Sequence, residues 1–321
     1  MLSHSIYIIA AYIIDRMVGD PRALPHPVVW MGKGISLLEA CIRKIVVKET
    51  SLKMAGFLFP ILIAGGTYGI VALLLYGASS VNHWVAVVLE IWLISTTIAT
   101  KGLGDAGMEV YQHLKHKDLP KARQSLAMIV GRDTAELDER EVARGAVETV
   151  AENIVDAIIS PLCYALIGGA PLAMMYRAAN TLDSMVGYKN EKYRNLGWAS
   201  ARFDDLLNYI PARLAALCML LACWIKRLDV QNAWTMVKRD AKHHPSPNSG
   251  IPEAAIAGAL HIQLGGTNFY GGVASQRAKM GEADRSIEPD DIIRTTQVMR
   301  STAMICVLLF CIISLFAAYY M

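Results

Sequence analysis

The chain has 321 residues, a formal net charge of +3 and a hydrophobic fraction of 54%. Its mean hydropathy of +0.34 comes from apolar residues gathered in long blocks, which is the pattern of an integral membrane protein and excludes a soluble globular domain. Lys and Arg are interleaved with Asp and Glu, and no basic stripe carries aromatics, so a nucleic-acid partner is excluded as well.

The first apolar segment, residues 5–18, is short for a span of roughly 20 residues and carries Asp15 and Arg16 near its end, so it is a marginal spanning helix. Neither a basic start nor a small-residue cleavage site accompanies it, and it is expected to be retained. Gly19-Asp20-Pro21-Arg22 breaks it, and residues 24–28 continue as an extended, proline-locked loop containing His26. A basic, partly amphipathic stretch follows over 30–53. Residues 54–78 form the clearest span, and 83–100 the next, joined by a turn short enough to make the two a hairpin. Glu90 lies inside the second; a carboxylate at that depth is expected to face a partner in the bundle.

From 101 to 153 the chain is charged and helical. Asp118-Leu119-Pro120 reads as a cap and helix start, Gly131-Arg132-Asp133-Thr134 as a break, and Glu136 as the opening of another helix whose charges mostly face solvent. Residues 154–176 are apolar but interrupted by Pro161 and by Gly168-Gly169-Ala170-Pro171. A polar segment precedes a shorter apolar run at 209–225; 229–300 is polar, and 301–320 is a clean terminal span. Cys218, Cys223, Cys306 and Cys311 sit in apolar blocks without metal-ligand spacing and read as small core residues.

The expected fold is therefore all-α: a single polytopic membrane helical bundle over 1–321, with cytoplasmic helical loops. The broken segments 154–176 and 209–225 either span or re-enter. If both span, 177–208 alone is outside; if both re-enter, every polar segment is cytoplasmic. The Lys and Arg content of 16–53 and 101–153 assigns those loops to the cytoplasm.

Four polar constellations stand out. Glu148, Glu152 and Asp156, at i, i+4 and i+8, share a helix face, where oxygen ligands suit Mg2+; the alternative is an acidic face in solvent, paired with Arg144 or Arg140. Asn180 and Asp183 lie three apart beside Arg177 and can bind metal or phosphate, or merely cap and pair. Arg202, Asp204, Asp205 and Asn208 precede Arg213 as a weak magnesium-diphosphate pattern, or as ordinary charges of a helix start. Finally, DAKHHPSPNSGIPEAAIAGALHIQLGG, over 240–266, delivers a proline-broken polar loop onto a helix start at Pro252, with Glu253 in its first turn. Such a terminus can hold an anion, and it can equally be a capped structural loop.

Five stretches, GDPRALPHPV, ETVAENIVDAIISPL, YRAANTLDSMVGYKN, ARFDDLLNYIPARL and DAKHHPSPNSGIPEAAIAGAL followed by LGG, resemble in order the CbiB/CobD membrane proteins of cobalamin biosynthesis, the adenosylcobinamide-phosphate synthases. The resemblance covers nearly the whole chain. It implies an ATP-dependent, Mg2+-requiring ligation joining a carboxylate of adenosylcobyric acid to the amine of aminopropanol phosphate, or of free aminopropanol. It also implies a multi-pass inner-membrane protein in contact with lipid, with its site on the cytoplasmic face and an association with later cobalamin-assembly enzymes.

On this reading Glu152, Asp156, Asp183, Asp204 and Asp205 include the magnesium ligands. Ser246, Asn248, Ser249 and Glu253, with Asn180 and Arg213, hold substrate and phosphate, while Arg22 and His26 close the site. Lys189 and Arg202 neutralise phosphate oxygens, and His244 serves as the base for the amine. Two other classes stay open: a membrane sensor like the AmpE proteins, and a magnesium-dependent prenyl-diphosphate transferase, which Asp204-Asp205 alone suggests.

Overall fold

The computed structural model describes residues 2–19, 26–46 and 48–320. In chain order the helices are α1 (Leu2–Met17), α2 (Pro27–Ile45), α3 (Glu49–Ala55), α4 (Gly66–Val81), α5 (His83–Ser95), α6 (Thr100–Lys115), α7 (Leu119–Ala127), α8 (Glu139–Ile154), α9 (Ser160–Val186), α10 (Trp198–Ile225), α11 (Val230–Asp240), α12 (Gly250–Leu260) and α13 (Asp290–Tyr320). Between α12 and α13 lies one antiparallel hairpin of β1 (Leu264–Tyr270) and β2 (Val273–Met280). The chain is thus helical in class, as expected, and the hairpin corrects a reading that contained no strand. Gly271 and Gly272 both have positive φ, 57° and 78°, which suits a two-residue turn between strands.

Helix ends follow local chemistry. Asp118 accepts from the Lys121 N–H (3.2 Å) and caps α7, with Pro120 in the first turn. Asp138 does the same for α8 through the Glu141 N–H (2.8 Å), so that helix opens at Glu139 and not at Glu136. Asn82 accepts from the Trp84 N–H (2.8 Å) and starts α5 directly after α4. Among the described residues five helical stretches are long and apolar enough to cross a membrane: Glu49–Val81, His83–Lys115, Glu139–Val186, Trp198–Ile225 and Asp290–Tyr320. Segments 154–176 and 209–225 both fall inside such helices, while the 16 residues of α1 fall short.

The chain divides into two compact units. The first comprises Met1–Ala99, Ser160–Asn208 and Leu309–Met321. Within it, Ile35, Ile42, Phe59, Leu182, Val186 and Leu196 form a buried cluster shared by α2, α9 and their neighbours. α9 is broken at Gly168 and Gly169, the latter with φ of 62°. Glu90 of α5 accepts there from the Ala170 N–H (3.4 Å), which supplies the partner expected of an intramembrane carboxylate.

The second unit comprises Thr100–Ile159 and Tyr209–Leu308. α12 is its central element: every residue from Gly250 to Leu260 is buried, because Ala, Gly and Ile in sequence give it no polar face to show to solvent. It packs on α11 and α8. Cys218, Cys223 and Cys306 are buried and Cys311 is half-buried, in keeping with core packing.

Candidate active site

In the second unit the face of α8 carries Glu141, Arg144, Glu148 and Glu152 one turn after another. Glu148 is 2% exposed. Its Oε2 accepts from Arg132 (2.7 Å), and its Oε1 accepts from Arg144 (2.9 Å) and from the Gly265 backbone N–H (2.7 Å). The two guanidiniums also donate to Asn268 Oδ1, at 2.5 Å from Arg132 and 3.0 Å from Arg144, and Arg144 reaches the Gly265 carbonyl at 2.5 Å. These contacts fasten α8 to β1. A buried carboxylate between two guanidiniums is tolerable because every charge is paired and hydrogen-bonded.

One turn on, Glu152 meets two side chains from the region 244–253. Glu152, His244 and Glu253 each offer a donor atom within 4.8 Å of the others. Glu253, in the first turn of α12, is 3% exposed, and its Oε1 has no hydrogen-bond partner among the described residues. The Arg277 guanidinium on β2 comes only to 4.0 Å. Burial, and after it the charges of Glu152 and Glu148, push the Glu253 carboxyl well above the usual carboxylate range, against the pull of Arg277 and Arg132. The His244 ring is anchored through Nδ1, which lies 3.0 Å from the Ser246 N–H and 3.2 Å from the Ser246 carbonyl.

The loop leading to α12 is braced internally. Ser246 Oγ accepts from the Asn248 N–H (3.3 Å), and buried Asn248 accepts from Arg213 (2.8 Å), whose guanidinium lies 3.7 Å from the Tyr209 ring centroid. α12 starts at Gly250 with Ser249 as its N-cap residue, and Ser249 makes no side-chain cap bond. The start expected at Pro252 is therefore corrected by two residues, and the physical consequence is chemical: Pro252 falls inside the first turn and removes one of its free N–H groups. The Ile251 N–H is already held by the Asn248 carbonyl at 3.1 Å. With Glu152 and Glu253 close by, this end of α12 favours a cation over a bare anion.

In the first unit a polar cluster lies between α9 and the first turns of α10. Asn208, 1% exposed, accepts from Ser160 (2.6 Å) and Tyr176 (2.8 Å) and donates to Asp204 (2.9 Å). Asn180 also bonds Asp204, and Asp183 and Asp205 are near enough for their charges to act on it. Arg202 pairs with Asp205 at 3.5 Å on the surface.

The comparisons with known proteins agree on one family. The model described as CobD/Cbib protein matches residues 8–299. The chain is 47% identical over 305 residues to the cobalamin biosynthesis protein CobD of Halalkalibacterium halodurans, covering 94% of this chain and 93% of the relative. It is 48% identical over 302 residues to the CobD of Geobacter metallireducens, with 94% of each covered. With the cobalamin biosynthesis protein CbiB of Salmonella paratyphi B it shares 43% over 300 residues, again with 94% of each covered. The chain belongs to the CobD/CbiB family. No solved structure matches it.

In this CobD/CbiB chain the residues expected to include the magnesium ligands come from both units. Glu152 and Asp156 belong to the second unit, and Asp183, Asp204 and Asp205 to the first. Asp156 is not in the group around Glu152; it lies in a π-helical turn, Val155–Ile159, whose extra residue per turn changes the helical spacing that the i+4 argument assumes. His26 caps α2 by accepting from the Val28 N–H at 3.2 Å. Arg22 lies outside the described residues. Lys189 is exposed beyond the end of α9.

Two features escape a reading of the sequence. Arg132, Arg144 and Glu148 look like solvated charges of a polar helix, but 8%, 5% and 2% exposure makes them buried. Arg144 is the i, i+4 partner that the spacing offers for Glu148, but the Arg132 contact, 16 residues away, and the Gly265 N–H of β1 are revealed by no local spacing. The second is the meeting of His244 and Glu253 with Glu152; its one signal was the unusual density of polar residues at the head of an apolar helix.

Proposed function

We propose that this protein is the ligase that joins a carboxylate of adenosylcobyric acid to the amine of aminopropanol phosphate, or of aminopropanol, yielding adenosylcobinamide phosphate or its unphosphorylated form. The observation that carries the reading is convergence. The ETVAENIVD and HPSPNSGIPEAA stretches, about a hundred residues apart, bring Glu152, His244 and Glu253 to one place. Such a concentration of ionisable groups is costly unless it serves a charged ligand. Relatives named as cobalamin biosynthesis proteins favour this reaction over an AmpE-like sensor or a prenyl-diphosphate transferase.

Amide formation from a carboxylate at neutral pH needs activation. In the reaction we propose, a carboxylate oxygen of the corrinoid attacks the γ-phosphorus of ATP, and the bond to the β-phosphate oxygen breaks with release of ADP. The amine nitrogen then attacks the acyl carbon, the C–N bond forms, phosphate leaves with the oxygen it acquired, and the nitrogen loses a proton. The protein's tasks are to position the reactants and to balance the charge of the phosphates. Asp183, Asp204 and Asp205 with Asn180 form an all-oxygen donor set, the kind that fits Mg2+ accompanying phosphate. Mg2+ supplies neutralisation of phosphate oxygens when bound. Arg202, with its side chain 63% exposed, and Lys189 are cations available to substrate phosphates.

The reading places the enzyme in the inner membrane with its site on the cytoplasmic side, where ATP is found. Purified protein in lipid or detergent, given adenosylcobyric acid, ATP, Mg2+ and aminopropanol phosphate, is expected to form the amide and ADP together. Folded protein that makes no amide with either amino alcohol would sink the proposal.

A further inference from the structure

We propose that Glu152, His244 and Glu253 form a binding site for a first-row transition divalent cation of the Mn2+ class, distinct from any Mg2+ that accompanies ATP. The site stands on geometry and does not depend on the ligase reading.

Three separate elements supply it: α8, the loop after α11, and the first turn of α12. Nitrogen and oxygen donors about 2.0–2.2 Å from a metal ion lie roughly 3–4.4 Å from one another. The observed donors all lie within 4.8 Å of one another, so side-chain rotations that draw the three together close the site on an ion.

The charge balance points the same way. Of the four glutamates in this part of the unit, Glu141 and Glu148 are already matched by Arg132 and Arg144. That leaves Glu152 and Glu253 facing one guanidinium, Arg277, at 4.0 Å, beyond hydrogen-bonding distance. Glu253 is the independent sign of a missing partner: 3% exposed, it has an Oε1 without a hydrogen bond among the described residues. A buried carboxylate oxygen in that condition costs free energy that a cation would recover.

The donor set selects the ion. Mg2+ takes oxygen ligands and keeps its waters, whereas an imidazole beside two carboxylates adds a nitrogen donor that favours a first-row transition ion; Mn2+ shares the carboxylate preference of Mg2+ and also takes an imidazole. Ligation through Nε2 takes the tautomer with its proton on Nδ1, which would then donate to the Ser246 carbonyl, 3.2 Å away, in place of the bond Nδ1 accepts from the Ser246 N–H at 3.0 Å; metal binding is expected to switch the ring to that tautomer. His244 is then a ligand and not the base for the amine, and Glu253 holds the cation and not the phosphate directly. Three protein ligands leave positions open for water or a substrate oxygen.

The test needs neither substrate nor ATP. Full-length protein freed of metal in detergent is titrated with Mn2+ in the presence of excess Mg2+, and the bound ion is read by electron paramagnetic resonance with detection of 14N modulation. We expect Mn2+ to be retained against Mg2+ with a nitrogen coupling. His244→Asn should lose the coupling, and Glu253→Gln should weaken binding by more than about tenfold, both with unchanged circular dichroism. Should either variant fail to fold, the 14N signal of the unaltered protein still decides. No retained Mn2+, Mn2+ bound through oxygen alone, or coupling that persists in His244→Asn would overturn the assignment.

Discussion

The Gly265 backbone N–H donates to Glu148 Oε1 at 2.7 Å, and this bond holds the first residues of the hairpin to the buried face of α8. Glu148 thereby anchors structure, while Glu152, one turn further along the same face, is left for chemistry. Removing the carboxylate strands two buried guanidiniums, a loss of about 3–5 kcal/mol. Glu148→Ala is expected to lower the melting temperature in detergent sharply. A variant that melts like the parent would show that the network is not holding the unit together.

The Asn208 hub gives a second prediction. Asn208→Ala leaves the hydroxyls of Ser160 and Tyr176, both fully buried, without their acceptor, at a cost of about 1–3 kcal/mol for each group. It also frees Asp204 from the bond that orients it. Melting and ligation should therefore fall together, whereas Asp183→Ala, at a half-buried position, should abolish ligation with a smaller effect on melting. Full ligation by Asp183→Ala would remove that residue from the proposed Mg2+ set.

Acid sensitivity should appear at Asp240. Burial, the largest influence, would raise its pKa, but hydrogen bonds from Arg239 (2.6 and 2.9 Å) and the Gly281 N–H (2.8 Å) together outweigh it and hold the carboxyl below the ordinary range. A depressed folded pKa contributes stability that is present above the unfolded value, about 3.9, and is lost as pH falls through the folded value. Melting temperature should drop on acidification below about pH 4, and Asp240→Asn should be less stable at neutral pH and lose part of that dependence. An unchanged acid profile in the variant would refute the assignment.

At the tip of the hairpin Asp133 accepts from the N–H groups of Gly271 (3.1 Å) and Gly272 (2.7 Å). A β-branched residue at Gly271, where φ is 57°, should cost about 1–2 kcal/mol. Amide exchange across 264–280 is expected to speed up while the helices keep their protection. Equal acceleration in α12 would mean that the hairpin and helix open as one.

The helical membrane class was legible because apolar blocks of spanning length leave few other solutions, and the cap at Asp118 rests on chemistry confined to a few residues. The hairpin was not, since its strands carry exposed polar residues with little apolar alternation; only the Gly271-Gly272 pair hinted at a turn. The five motifs named the family. They could not say that Glu148 is matched and Glu152 is not, since that depends on Arg132 and Gly265 arriving from elsewhere in the chain. Nor could spacing show that a π-helical turn separates Asp156 from its expected neighbours.

The most direct measurement of the central claim is a coupled one on the purified protein: amide product by mass and ADP by enzymatic assay, with adenosylcobyric acid and aminopropanol phosphate both present and each omitted in turn. The ligase account predicts amide and ADP in equal amounts, with no amide when either substrate or ATP is left out. Folded protein that consumes no ATP and forms no amide under these conditions, or amide formed without ATP, would contradict it.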